Sequence, residues 1–290
     1  MSKLKIITVV ALVVVISASM FSSCKKDGVY NPKKKINKIY SQNSKGEKIL
    51  SETWTWDNDK LMRIDYGGGF EVFEYDKDKL IKFTYNNGNY EKYTYNGSKI
   101  DKVELWNKEG NDVLIEYKFE YTENKISKIS SKCYISFDDM ETSLNNQKNN
   151  ALRFVLPEQI ANIISIPFEN KLKNRKTSET VSITMELTWK GDNIEKVIYI
   201  SNYNSLNLSS TEIFHYTYDN KLNPMYGYLN GRTDATSKNN VKKMIMTDGN
   251  EPSLEEEYSY VYDGKFPTEI TRTQTLGTHK STSVTYYEYK

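Results

Sequence analysis

The sequence predicts an all-β protein: an antiparallel meander of about sixteen strands closed into a β-barrel, with one helix-containing insertion. Three observations predict it. The chain of 290 residues has 23 Tyr and only six Pro, with abundant Thr, Val and Ile, a composition that favours strands over helices. One short phrase recurs along most of its length. The polar turns between successive apolar runs are too short for the dozen residues that a parallel crossover needs.

The phrase is clearest where it occurs twice in succession. One copy reads Phe73-Glu74-Tyr75-Asp76-Lys77-Asp78-Lys79-Leu80-Ile81-Lys82-Phe83, and another runs from Tyr93 to Val103. Each has two aromatics at alternate positions, a polar turn, an aliphatic residue five after the second aromatic, and an apolar residue three further on. Alternation with period two marks a half-buried strand, and Asn/Gly/Asp/Lys clusters between such runs mark hairpin turns. With the second aromatic as anchor, copies sit at Trp56 (Leu61, Ile64), Tyr75, Tyr95, Tyr121 (Ile126, Ile129) and Trp189 (Ile194, Val197). Two later copies, Tyr218 with Leu222 and Tyr262 with Phe266, have turns one residue shorter. Ile36 and Ile39 match the second half of a copy whose first half is missing.

In chain order, residues 1–23 read as a signal peptide: Lys3 and Lys5, an apolar run from Ile6 to Ile16, then small residues before Cys24. The apolar run is short for a membrane span. Residues 24–35 read as a Lys-rich tether, flexible and interrupted by Pro32. Residues 36–290 form a single β domain. Its strands are expected at 36–42, 48–57, 61–66, 70–76, 80–86, 90–96, 99–107, 112–122 and 125–135. The phrase stops between Phe137 and Ser178, so 138–178 is an insertion, with a short helix opened by Pro157. Strands resume at 180–189, 194–203, 210–219, 241–247, 255–263, 267–275 and 282–289, with a corner at Asn223-Pro224.

The strands have two unlike faces. Phe73, Tyr75, Ile81, Phe83 and Tyr85 share one; Glu74, Lys82 and Thr84 share the other. A meander of this length must curl or close, since an open sheet would leave two edges. Two closed forms fit: a soluble one with the aromatic face inward as core, and a membrane barrel with that face outward to lipid. The mean hydropathy of −0.69, the scatter of Tyr along the strands and the terminal Lys290 favour the inward form.

Chemistry-bearing clusters are few. His215 and His279 lie far apart in sequence, and a metal site needs several convergent donors. No nucleophile elbow, phosphate-binding glycine loop or zinc-protease motif occurs, so no catalytic residue, cofactor or metal is expected. The acidic runs Asp138-Asp139 with Glu141, and Glu255-Glu256-Glu257, read as solvated loop or strand edge; a carboxylate pair for glycan hydrolysis is the alternative. The net charge of +2 gives no global field for nucleic acid. Residues 25–48 are the exception, with eight Lys against Asp27 and Glu47. They read as a solvated tether or as an attraction to anionic head groups or polysaccharide. Of the two Cys, Cys133 reads as a small strand residue.

Phe21-Ser22-Ser23-Cys24 resembles a bacterial lipobox, with Phe in place of the usual Leu; the resemblance implies cleavage before Cys24 and its lipidation. The hairpin phrase resembles the YD repeat of Rhs-type and wall-associated proteins, as Glu74-Tyr75-Asp76 with Lys79-Leu80 and Thr217-Tyr218-Asp219 with Lys221-Leu222, without their regular Gly-Arg-Leu turn. The chain is also similar to anchored lipoproteins of Bacteroidetes with YD-like hairpins and a late Asn-Pro-aromatic corner, here Asn223-Pro224-Met225-Tyr226. That family has a porin-like fold and no described function, and the resemblance implies an antiparallel barrel without supplying catalytic residues. Together these readings lead us to expect an outer-membrane lipoprotein on the periplasmic or surface-exposed side. It is expected to be held to the membrane through Cys24 and to be a non-enzymatic module for a glycan, peptide or envelope protein, with 138–178 as contact surface. A glycan hydrolase and a purely structural envelope protein are the alternatives.

Overall fold

A computed structural model describes residues 30, 32–134, 181–203, 208–228, 237–248 and 251–290. The first nine strands are β1 (Ile36–Gln42), β2 (Lys48–Asp57), β3 (Lys60–Tyr66), β4 (Gly69–Asp76), β5 (Lys79–Tyr85), β6 (Tyr90–Asn96), β7 (Lys99–Trp106), β8 (Val113–Thr122) and β9 (Lys125–Cys133). The rest are β10 (Val181–Lys190), β11 (Asn193–Tyr203), β12 (Leu208–Leu222), β13 (Asn239–Asp248), β14 (Glu251–Asp263), β15 (Phe266–Leu276) and β16 (His279–Tyr289). Every strand pairs antiparallel with its sequence neighbours, and β16 pairs with β1, so the meander closes into a barrel. The Lys290 N–H donates to the Lys35 carbonyl at 2.9 Å and completes the seam. The expected insertion at 138–178 and its helix lie outside the described residues.

The five-then-three spacing has a geometric cause. Asp76 pairs with Lys79 and Tyr75 with Leu80, across a two-residue turn; then Glu74 pairs with Lys82, leaving Ile81 as the extra residue of a β-bulge. The bulge keeps Leu80 and Phe83 both inward although they are three apart. The same shift follows Trp56, Tyr95, Tyr121 and Trp189. Ile81, expected on the aromatic face, is therefore the bulged residue and is exposed, while Leu80 takes the inward position. Bulges raise local twist and bend the strand, which is what closing a long meander requires.

Two copies differ from their sequence reading. Tyr262 pairs with Pro267, after the same bulge, so its spacing is also five, then three to Ile270. Pro267 fills the aliphatic position, at a bulge where a missing N–H is tolerated. Tyr218 forms no hairpin with Leu222: β12 runs through Leu222, and Tyr218 faces Val241 across the corner, with Met244 three beyond.

The aromatic face points inward. Phe73, Phe83, Tyr85, Tyr93, Tyr117, Tyr199 and Phe214 are buried in one contiguous core. The outer wall carries ion pairs such as Glu74–Lys82 (3.0 Å) and Lys102–Glu104 (2.7 Å). A round barrel of this strand number would leave a channel. Here the corner after β12 folds into one end, where Tyr228 meets Trp54 of β2 at 5.1 Å and Phe73 of β4 at 6.1 Å.

Each anchor aromatic also ties its hairpin to the one before. Its polar atom donates to the carbonyl of the preceding copy's aliphatic residue: Trp56 to Ile36 (2.7 Å), Tyr75 to Leu61 (2.9 Å) and Tyr95 to Leu80 (2.8 Å). Tyr121 to Ile100, Trp189 to Ile126, Tyr218 to Ile194 and Tyr289 to Pro267 continue the ring. At β14 the donor is Tyr260, to Val241, while Tyr262 reaches Asp219 instead. The ladder to the next strand stops short of the accepting residue: β5 pairs with β6 only from Lys82 on, β3 with β4 from Arg63 and β7 with β8 from Lys102. Leu80, Leu61 and Ile100 therefore have no ladder partner on that side, and a buried carbonyl needs one. This explains the need for an aromatic with a polar tip at the anchor position.

Candidate functional site

The ring of two-residue turns, together with the start and end of the chain's described barrel, defines one end of the molecule, the turn end. The loops after β1, β3, β5, β7 and β9 lie at the opposite end. The segment preceding β1 is docked at the turn end. Tyr30 is buried there, its hydroxyl donating to the Pro224 carbonyl at 2.6 Å. Its ring lies 5.6 Å from Trp56, 6.1 Å from Trp54 and 5.4 Å from Tyr228. Burial holds its hydroxyl well above the usual phenol range, as a neutral donor. Pro32 is also buried, and Lys34 pairs with Asp263 at 2.6 Å. The expectation of a flexible tether through residue 35 is thus corrected for its described part: Tyr30 and residues 32–35 belong to the barrel. A lone aromatic in a Lys-rich stretch gives no periodicity from which this docking can be read.

Five of the inward aliphatic residues, Ile36, Leu61, Leu80, Ile100 and Ile126, are preceded by a Lys that serves the neighbouring turn. Lys79 donates to the Gly97 carbonyl at 2.5 Å with its ammonium 5.0 Å from the Tyr95 ring. Lys99 donates to the Glu123 carbonyl at 2.7 Å over Tyr121, and Lys35 to the Asn58 carbonyl at 2.6 Å over Trp56. Lys60 and Lys125 reach Lys77 and Gly191 in the same way. Each stem covers an aromatic ring while the charge stays at the surface, worth about 0.5–1 kcal/mol in cation–π attraction. The turn end is therefore ringed by ammonium groups held in place by their neighbours.

Two carboxylates lie inside the barrel, nearer the opposite end. Glu91 is 1% exposed and accepts from the hydroxyls of Tyr85 and, at 2.7 Å, Tyr93. Burial pushes its pKa up to about 7, against the lowering effect of the two hydroxyls, and Glu71 adds a smaller upward push. Glu256, also 1% exposed, accepts from Arg272 at 2.6 Å, from Tyr258 and from Gln274 at 3.3 Å. The reading of Glu255-Glu256-Glu257 as a solvated run is corrected here: the strand period sends Glu255 and Glu257 outward to Lys243 and Glu256 inward. Both buried acids occupy aromatic-face positions, Glu91 in phase with Tyr93 and Glu256 with Tyr258. That phase is the signal from which their burial is legible.

The remaining expected residues are not gathered into a site. Cys24, Asp138, Asp139, Glu141 and the whole insertion lie outside the described residues. His215 faces solvent on β12 and His279 sits at the exposed start of β16. Among the described residues no three His, Cys, Asp or Glu side chains converge as a metal ion would need. Cys133 is partly buried against the core. An interior cavity of about 20 Å³, lined by Tyr30, Phe73, Tyr93 and Tyr228 among others, has room for a single water.

No protein-family model matches the chain, and no curated protein matches it. Among solved structures it is similar to the Photorhabdus luminescens Tc holotoxin pore, at 10% identity and a TM-score of 0.23. The match covers 83% of this chain and 16% of that one, so this chain spans about a sixth of that protein's length. A likeness of this size carries no argument about function.

Proposed function

We propose that the chain is a cell-envelope lipoprotein, tethered through Cys24, whose barrel is a non-enzymatic interaction module for a glycan, peptide or envelope partner. The observation that carries the membrane part is the sense of the barrel's faces. A membrane-spanning barrel presents an apolar band outward. This wall presents Lys, Glu and Thr outward, with ion pairs at Glu74–Lys82, Lys102–Glu104 and Lys128–Glu120. Attachment to a bilayer then falls to the N-terminal segment, which enters the barrel at the turn end through Tyr30. Topology supports the interaction part. The chain leaves β9 at Tyr134 and returns at Val181, both at the end opposite Tyr30. Residues 138–178 would then be displayed away from the membrane.

Labelled fatty acid should enter the wild type and be absent from Cys24→Ala, which should no longer sediment with membranes after a salt wash. Retention of the Ala variant would place the anchor elsewhere. Glycan arrays and envelope pull-downs with and without residues 138–178 test the second half. Binding that survives the deletion removes the insertion from the contact surface, and turnover of a bound glycan or peptide would make the protein a hydrolase.

A further inference from the structure

Among the described residues, the turns of the barrel are electrically unlike at its two ends. At the turn end, residues 32–35, 57–60, 76–79, 96–99, 122–125, 190–193, 219–223, 237–238, 263–266 and 290 carry thirteen Lys against eight Asp or Glu. At the opposite end, the turns 43–48 and 107–112 carry three Lys against three acids. The excess is a consequence of the fold. Lys35, Lys60, Lys79, Lys99 and Lys125 each serve a neighbouring turn's carbonyl, and closing the meander places all of these turns at one end. Acids there are fewer, and several are already paired, as Asp263 is with Lys34 and Asp192 with Lys238. Lys33, Lys77 and Lys265 are exposed and pair with no carboxylate among the described residues.

We propose that this turn end is a docking face for anionic phospholipid head groups, so that the barrel stands on the bilayer turn end down. Two observations converge on that occupant. The face has the complementary charge, and the chain outside the described barrel joins it there, Cys24 standing only six positions before the buried Tyr30. At no more than about 3.6 Å per residue, six residues reach about 22 Å. An anchor at Cys24 would therefore hold the turn end close to the head groups, where a Debye length of about 8 Å leaves its field partly unscreened. The proposal rests on the tethered reading for bringing the barrel to a membrane, but the face itself acts without the lipid.

The full chain carrying Cys24→Ala tests it, with sedimentation on vesicles of phosphatidylcholine alone and of phosphatidylcholine with phosphatidylglycerol. The apolar N-terminal run partitions into either vesicle, so the ratio of the two partition coefficients reports charge. In low salt that ratio should exceed one and fall as salt is raised. Lys77→Gln with Lys265→Gln should lower it about fivefold per Lys removed. Lys45→Gln with Lys108→Gln, at the opposite end, should leave it unchanged. A ratio near one, or an equal loss in both double variants, would overturn the proposal, the second by showing that net charge and not this face binds. Thermal unfolding of each variant separates loss of the face from loss of the fold. Fatty-acid labelling of the wild type reports the anchor independently, so a failed anchor and a failed face give different results.

Discussion

The buried Glu91 should make stability fall as pH rises, opposite to the usual effect of a carboxylate. Its oxygens face the hydroxyls of Tyr85 and Tyr93, with Glu71 and Tyr117 nearby and, among the described residues, no cation bonded to it. In the folded state its pKa stands at about 7, against an ordinary 4.5. Between those values the folded chain holds a proton that the unfolded chain has released. Stability therefore declines from pH 4.5 to pH 7 and is level above. A difference of about 2.5, at 1.36 kcal/mol each, is a loss of about 3 kcal/mol. Glu91→Gln keeps the shape and cannot ionise, so this decline should vanish from the variant. Urea unfolding of both proteins from pH 4.5 to 8.5 gives the difference directly. The acids that ion pairs or hydrogen bonds hold low, Asp65, Asp192, Asp263 and Glu288, lose their contribution at lower pH and do so equally in both proteins. The variant should gain about 3 kcal/mol relative to wild type across the window. A difference that stays constant from pH 5 to 8 would refute the reasoning and mean that Glu91 is ionised at low pH or reached by water.

Other outcomes follow from the hairpins. Phe83→Ala, which empties a site 1% exposed and 4.9 Å from Phe73, should lower stability by about 3–5 kcal/mol, whereas exposed Thr94→Ala should change it by less than about 0.5. Tyr95→Phe removes only the donor to the Leu80 carbonyl and should lower stability by about 1–3 kcal/mol in denaturant titration; no loss would mean that water replaces the hydroxyl. The first turn residue has a left-handed φ in Glu123 (58°), as it has in Gly97 (63°). Glu123→Gly should therefore raise the melting temperature, by about 1 kcal/mol in stability, since only its backbone carbonyl receives Lys99.

Much of the fold is legible in the residues because its signals are local. A two-residue turn after Tyr75 and the alternation on either side of it depend on neighbours a few positions away, and the strand bounds follow. Ile81 shows where locality ends. Alternation alone assigns it inward, but the bulge that turns it outward exists to reconcile Leu80 and Phe83 with one core. Pro267 was hidden as an aliphatic equivalent for the same reason: its place is defined by its partner Tyr262. At the turn end, Lys79-Leu80 is visible as a phrase, but the Gly97 carbonyl that Lys79 serves belongs to the next hairpin.

By itself, the sequence determined a meander of sixteen strands with one aromatic and one charged face, because period and turn chemistry are set by adjacent residues. Tertiary structure decided the rest. Closure is itself legible, since an open meander of this length would leave two edges, but the register in which β16 meets β1 depends on twist summed over every bulge, which no single hairpin contains. That Tyr30 is core and Glu91 is buried depends on side chains brought from distant strands, since burial is a property of what surrounds a group. The cationic end arises in the same way: lysines scattered through the chain become one face only when the closed barrel places all their turns together.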